Sequence, residues 1–334
     1  MKKNVFIAVA LFATLTTSAQ NIAVVSPSNS TKIYMTLDEA IAEAESGSII
    51  YMPGGGFQVT DNAKIDKPLT IMGVSHRGDT DNVDGATIIS GNLSFIEGSS
   101  KSAVIGVYVS GNINIGTSED SVTNFTMRYC NVNSIQVKNS HSSAMKINQC
   151  YMRNNSDFGY CNVKLENNIM HSVKQIEGGV IDHNIITENT SVYVGDWDYN
   201  YKNYAMAFVV SSNITNNFIL NGSYIHRGDN CYASNNCVGT GSWGDNPAVL
   251  PENTTWENVF KANKGVTIAS DYRLTDTWAG STDPDLTSIG IYGGGTNFKD
   301  QNAVAPIPRI VSKRVDEQTD GSGKLSIEVT VKAQ

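Results

Sequence analysis

Read for apolar and polar positions alone, the middle of this chain repeats. Six segments share one order: an apolar residue, two variable residues, an Asn or Cys, one more residue, then a second apolar residue. They are MRYCNV (127–132), INQCYM (147–152), LENNIM (165–170), IDHNII (181–186), ITNNFI (214–219) and ASNNCV (233–238). The Asn or Cys positions are Cys130, Cys150, Asn168, Asn184, Asn217 and Asn236, in steps of 20, 18, 16, 33 and 19 residues. A unit this short cannot bury an apolar face alone, but stacked units share a core and pair their strands along one axis. The pattern predicts an all-β chain wound as a parallel β-helix. Strands in such a stack lie about 4.8 Å apart, so equivalent amides can bond to neighbours above and below at each bend. Cys130 and Cys150 fit the same ladder, because a small thiol leaves no amide unpaired. Asn also recurs in turns for its own sake, but here both apolar flanks keep register in every segment.

Ahead of the repeat, TLDE (36–39) is a capping box and predicts a helix over 36–45, with Leu37, Ala40, Ile41 and Ala44 on one face and Gly47 as its stop. Such a helix covers an open end of the stack and blunts an edge that would otherwise pair with other chains. Runs at 48–53, 68–73, 86–90, 103–109 and 112–115 predict the strands of irregular first coils. At the other end, RIVSKRV (309–315) and KLSIEVTV (324–331) alternate about TDGSG (319–323), which predicts a β-hairpin within 301–334. Its stripe of Leu325, Ile327, Val329 and Val331 needs burial, either on the last coil as a cap or against a protein partner.

With 40% hydrophobic and 17% charged residues, the 334-residue chain has material for one elongated domain, placed here at 20–300. MKKN, the apolar run 5–15 and TSA (17–19) have the three regions of a signal peptide, with cleavage expected after Ala19. No Cys follows that site to take a lipid, and no later apolar run reaches the roughly 20 residues a bilayer span requires. The mature protein is therefore expected to be secreted or at the cell surface, without membrane insertion. Loss of Lys2 and Lys3 takes the formal charge from −8 to −10, which argues against nucleic acid as a partner. Five Cys remain, an odd number without a CxxC pair or a His at ligand spacing, so a zinc site is not expected. Cys130 and Cys150 fall on adjacent coils and are read as stacked thiols, with a disulfide as the alternative.

TLDEAIAEAESGSIIYMPGGGFQV (36–59) with KPLTIMG (67–73) resembles the opening of secreted right-handed parallel β-helix proteins of the pectate-lyase-like superfamily. DYRLTDTWAGSTDPDLTSIGIYGG (271–294) is similar to the last coil of such proteins. The resemblance covers about 33–295 and implies a right-handed parallel β-helix with an N-terminal capping helix. It implies no single activity, since the superfamily includes lyases, hydrolases and adhesins.

The step between Asn184 and Asn217 is twice one coil, so it holds a degenerate coil or a loop. Its sequence GDWDYNYKNY (195–204) places Trp197, Tyr199, Tyr201 and Tyr204 among Asp196, Asp198 and Lys202. Aromatic faces stack on sugar rings while carboxylates and amides bind hydroxyls, so the segment is a candidate polysaccharide site; a plain flanking strand is the other reading. HRGD (226–229) follows one coil later, adding His226, Arg227 and Asp229. A Ca²⁺-assisted uronate lyase would use acids of this loop for the cation and Lys202, His226 or Arg227 as base. HRGD recurs at 76–79, which suggests turn chemistry. Asp79, Asp81 and Asp84 in DTDNVDG (79–85) are candidate Ca²⁺ ligands by type, without EF-hand spacing. VIDHN (180–184) resembles a V-W-I-D-H segment of pectate lyases with Ile for Trp, and is read as outward polar positions. The N-T-D, D-D, G-H-G and R-I-K segments of pectin-hydrolase-like enzymes are absent. The leading expectation is an exported polysaccharide binder without a catalytic constellation; the rivals are the lyase and an adhesive protein docking a partner through its hairpin.

Overall fold

The computed structural model describes residues 21–334 apart from 61–63, 78–84, 194–200, 221–222, 227, 240–242, 263–270, 283, 296–297, 299–308, 316–317, 319–321, 325 and 333–334. Through the repeat the chain visits three sheets in turn. One circuit passes Met145–Asn148 in the first sheet, Tyr151–Met152 in the second and Ser156–Cys161 in the third, before Val163–Glu166 returns to the first. Strands pair in parallel with their counterparts one circuit away, so Met127, Ile147, Leu165, Ile181 and Ile214 are successive neighbours. Among the described residues the first sheet has eleven strands and the other two have nine each. These long parallel sheets make an all-β fold consistent with a parallel β-helix.

Alternation decides what is inside. Ile50, Ile71, Val104, Met127, Ile147, Leu165, Ile181 and Ile214, one per circuit in the first sheet, are fully buried. Side chains of this size stabilise by about 1.5–3 kcal/mol each when removed from water. The corner after the first sheet has a common backbone device. Tyr129, Gln149, Asn167, His183, Asn216 and Asn235, each just before a ladder residue, have φ of 55°, 54°, 52°, 56°, 56° and 55°. Left-handed backbone costs a non-glycine residue roughly 1–2 kcal/mol, so six in register require a common compensation. Gly106 (φ 67°) and Asn246 (φ 46°) take the same place in two further corners, where Val107 and Pro247 stand at the ladder position.

Several expectations need correction. The helix is Leu37–Glu43; Thr36 accepts from the Glu39 N–H at 3.2 Å, and Gly47 (φ 85°) turns the chain later, after extended Ala44. The run 103–109 is two strands, Ala103–Ile105 and Tyr108–Val109, divided at Gly106, and the first coils join all three sheets in regular order. The long step after Asn184 is a hairpin: Thr190–Tyr193 pairs antiparallel with the start of Tyr201–Val210, whose later part rejoins the third sheet beside Val173–Glu177.

The segment 271–294 does not form a last coil. It belongs to an outer layer on the second sheet, whose outward side is apolar. Tyr151, Ile169, Ile185, Phe218 and Cys237 pack there against Val259, Phe260, Tyr272, Trp278, Leu286, Ile289 and Ile291. Asn167 Nδ2 donates to the carbonyls of Ile291 and Gly293 at 3.1 and 3.2 Å, and Gly290 N–H donates to Asn216 O at 2.7 Å. The C-terminal hairpin pairs Arg309–Val315 with Ile327–Lys332. Its Ile327 and Val329 are exposed, so the stripe does not seal the stack as a cap at these two residues.

Candidate functional site

The ladder residues Cys130, Cys150, Asn168, Asn184, Asn217 and Asn236 are all fully buried. Each corner N–H meets a side-chain acceptor on the next circuit: Cys150 N donates to Asn168 Oδ1, Asn168 N to Asn184 Oδ1, Asn184 N to Asn217 Oδ1 and Asn217 N to Asn236 Oδ1, all at 2.8–3.0 Å. Each Nδ2 in turn reaches a carbonyl one circuit back, on Ile147, Leu165, Ile181 and Ile214. The Cys130 thiol lies 3.4 Å from the equivalent carbonyl, Val104 O, and 3.1 Å from Arg128 O. The Cys150 thiol donates to Asn148 O at 3.2 Å and accepts from Cys130. All five cysteines are unbridged. Burial first, then the neighbouring Cys130 sulfur, pushes the Cys150 thiol up. These side chains hold the corners and have no access to ligand.

What the corners position is the outward face of the first sheet. In each segment the second residue points out: Arg128, Asn148, Glu166, Asp182, Thr215 and Ser234 are successive strand partners. Two residues earlier a second row runs Thr126, Lys146, Lys164, Val180, Asn213 and Tyr232. Between the rows a groove of about 260 Å³ is lined by Thr126, Arg128, Lys146, Ile147, Asn148, Lys164 and Glu166. Lys164 Nζ pairs with Glu166 at 2.6 Å, and the Arg128 guanidinium lies 5.4 Å from the Tyr129 ring centre. Asn148 Nδ2 donates to Glu166 O, while its Oδ1 has no donor among the described residues. Three cations against one carboxylate give this groove a local charge of +2 on a chain of −8.

Beyond the groove, Asp182 accepts from His183 Nδ1 (2.8 Å), Thr215 Oγ1 (2.6 Å) and Asn216 Nδ2 (2.8 Å). Burial alone would raise its carboxyl, but the bonds from His183, Thr215 and Asn216 outweigh it and hold the group below the usual carboxylate range. A Cβ on Gly294 would stand 3.1 Å from Cε1 and Nε2 of His183, so the imidazole is sandwiched between Asp182 and the outer layer. Both carboxylate oxygens are occupied by the protein. This cluster clamps a corner, with the His183 and Asp182 side chains 13% and 23% exposed. No family model, curated protein or solved structure matches the chain.

The sequence candidates lie elsewhere. Asp196, Trp197, Asp198, Tyr199, Arg227, Asp79, Asp81 and Asp84 fall outside the described residues. Tyr201, Lys202 and Tyr204 are on the hairpin of the third sheet, where Lys202 is exposed and Tyr204 half-buried. His226 pairs in register with Ala207, and Lys202 precedes Ala207 by five residues. At about 3.3 Å per residue, that separates the two backbones by roughly 16 Å along the strand. The register therefore does not bring Lys202 and His226 to one turn. Asp229 is exposed, and its carbonyl takes the Ser211 N–H. In the other HRGD, His76 is buried with Nδ1 2.7 Å from Tyr129 O. Among the described residues no group of three or more acids, His or Cys could hold a metal, and no helix is long and apolar enough to cross a membrane. The groove was missed because its signal is a column: the second letter of all six segments is polar.

Proposed function

We propose that the chain is an exported right-handed parallel β-helix protein of the pectate-lyase-like superfamily that binds an acidic polysaccharide across the outward face of its first sheet. The N-terminal helix, with Leu37, Ala40 and Ile41 in the core cluster, serves as its cap. The groove carries the reading. A linear glycan lying across the strands meets a fresh pair of outward side chains every 4.8 Å or so, polar in both rows over the groove. Arg128 and Lys146 supply cations for uronate carboxylates, while Thr126 supplies a hydroxyl partner. The exposed Tyr232 continues the same row with an aromatic face suited to a sugar ring. The binding reading needs no catalytic group, and the partly buried acid on this face, Asp182, is held by three protein donors.

The test is affinity electrophoresis of the mature protein through gels containing a soluble polyuronate or a neutral glucan. Retardation by the polyuronate alone is expected, and Arg128→Ala with Lys146→Ala should weaken it at least tenfold, about 1.4 kcal/mol or more. Equal mobility in all gels refutes the proposal. Unsaturated oligosaccharides released from the polyuronate would replace it with the lyase reading.

A further inference from the structure

The first sheet is left open at its N-terminal end. Its terminal strand, Thr31–Tyr34, pairs with Ile22–Val25 on one side and with no described strand on the other. An unpaired strand is a template for another chain, and charged residues on it normally discourage that. This edge is mixed. Ile33 and the following Met35 are 56% and 57% exposed, while Lys32, also exposed, lies on the opposite face of the strand, across from the buried Val24. The C-terminal hairpin has a second such edge: Ile327–Lys332 pairs with Arg309–Val315 and with no other described strand, and exposes Ile327 and Val329 around Glu328. A two-stranded ribbon is marginal alone and gains stability from a third strand.

We propose that these two edges are complementary, and that the hairpin of one copy adds as a strand to the N-terminal edge of a second copy. In an antiparallel register with Ile33 opposite Ile327, Thr31 meets Val329 and Lys32 meets Glu328, which places apolar side chains on one face and an opposite-charge pair on the other. In this register the charge pair acts as a filter: Lys332, the other charge of the hairpin edge, runs past Thr31, and Glu328 stands opposite Arg314 within the hairpin. Lys32 repels uncharged or basic strands by leaving an amine to be buried, and accepts one that brings a carboxylate. The contact joins different patches of the two copies, so it does not close on itself and generates head-to-tail chains. This interaction is independent of glycan binding, whose groove, lined by residues from Thr126 to Glu166, includes neither edge.

Light scattering of the mature protein over increasing concentration should show dimers and longer species. Lys32→Glu and Glu328→Lys should each abolish them, and the two substitutions together should restore them. Both residues are exposed, and since Glu328 stands opposite Arg314 within the hairpin, Glu328→Gln, which sets no like charge against that Arg, should weaken association as well. Mixing an Ile33→Cys protein with an Ile327→Cys protein under mild oxidation should give a cross-linked heterodimer on a non-reducing gel. A chain that stays monomeric at every concentration overturns the proposal, as does association indifferent to the charge swap. If the double-cysteine chain cross-links only within itself, the hairpin docks on its own body and the second copy is excluded.

Discussion

Asn217 concentrates what holds a corner together. Its Nδ2 lies 2.7–3.0 Å from three acceptors, on Ile181, Thr215 and Asn236, and its Oδ1 accepts from both nitrogens of Asn184. Truncation leaves the buried Asn184 N–H and at least one carbonyl without partners, at about 1–3 kcal/mol each. Asn217→Ala should lower the unfolding free energy by about 3 kcal/mol in urea titration, whereas Asn217→Cys should cost markedly less, since thiols already fill two rungs. Equal losses would mean that Cys130 and Cys150 are merely tolerated. The thiols also set an alkaline limit. Burial pushes Cys161 and Cys237 up to about 12. The unfolded chain releases these protons from about pH 8.5, so the stability they contribute is complete below that pH and falls between there and about 12. Unfolding free energy measured from pH 7 to 11 should be flat and then decline, and Cys161→Ala with Cys237→Ala should make the decline shallower.

Among the elements, those with a period were legible and those without one were not. The apolar flanks of the six segments marked the strands, because one-sided burial imposes alternation. The corners at Val107 and Pro247 escaped, since neither residue looks like an Asn although the backbone turns there in the same way. A second, outer Asn series, Asn112, Asn133 and Asn154, joined by amide bonds of 2.8 and 2.6 Å, is not legible because its flanks share no apolar pattern. The outer layer is not legible as a layer, since its apolar residues have no partner visible in local sequence; they match a stripe formed by five separate circuits. Its placement turns on Gly290, which has φ 73° and would bring a Cβ to 2.4 Å from Phe218. Gly290→Ala combines that clash with left-handed strain and should detach the 286–298 segment. Limited proteolysis is expected to cut there in the variant and not in the parent; an uncut variant would show that the layer is held elsewhere.

At the scale of the molecule, parallel stacking alone gives each circuit only its two neighbours, and such a stack can lose circuits from an end one at a time. The outer layer changes that over part of the length. It spans the circuits of Tyr151, Ile169, Ile185, Phe218 and Cys237 with one cluster, while the circuits of Ile88 and Tyr108 lie outside it. Arg153 instead covers Tyr108, its guanidinium 4.6 Å from the ring centre and donating to Val109 and Ser110 carbonyls. The protein should therefore have two zones of stability. Amides at 165–219 should exchange together and more slowly than those at 65–115. Ending the chain at 253 would bare the apolar stripe, so the shortened protein should bind a hydrophobic dye and lose protection at 165–238 while keeping it at 65–115. Loss of protection throughout would mean that the clad circuits stabilise the whole stack, and that neighbour contacts alone do not hold the uncovered end.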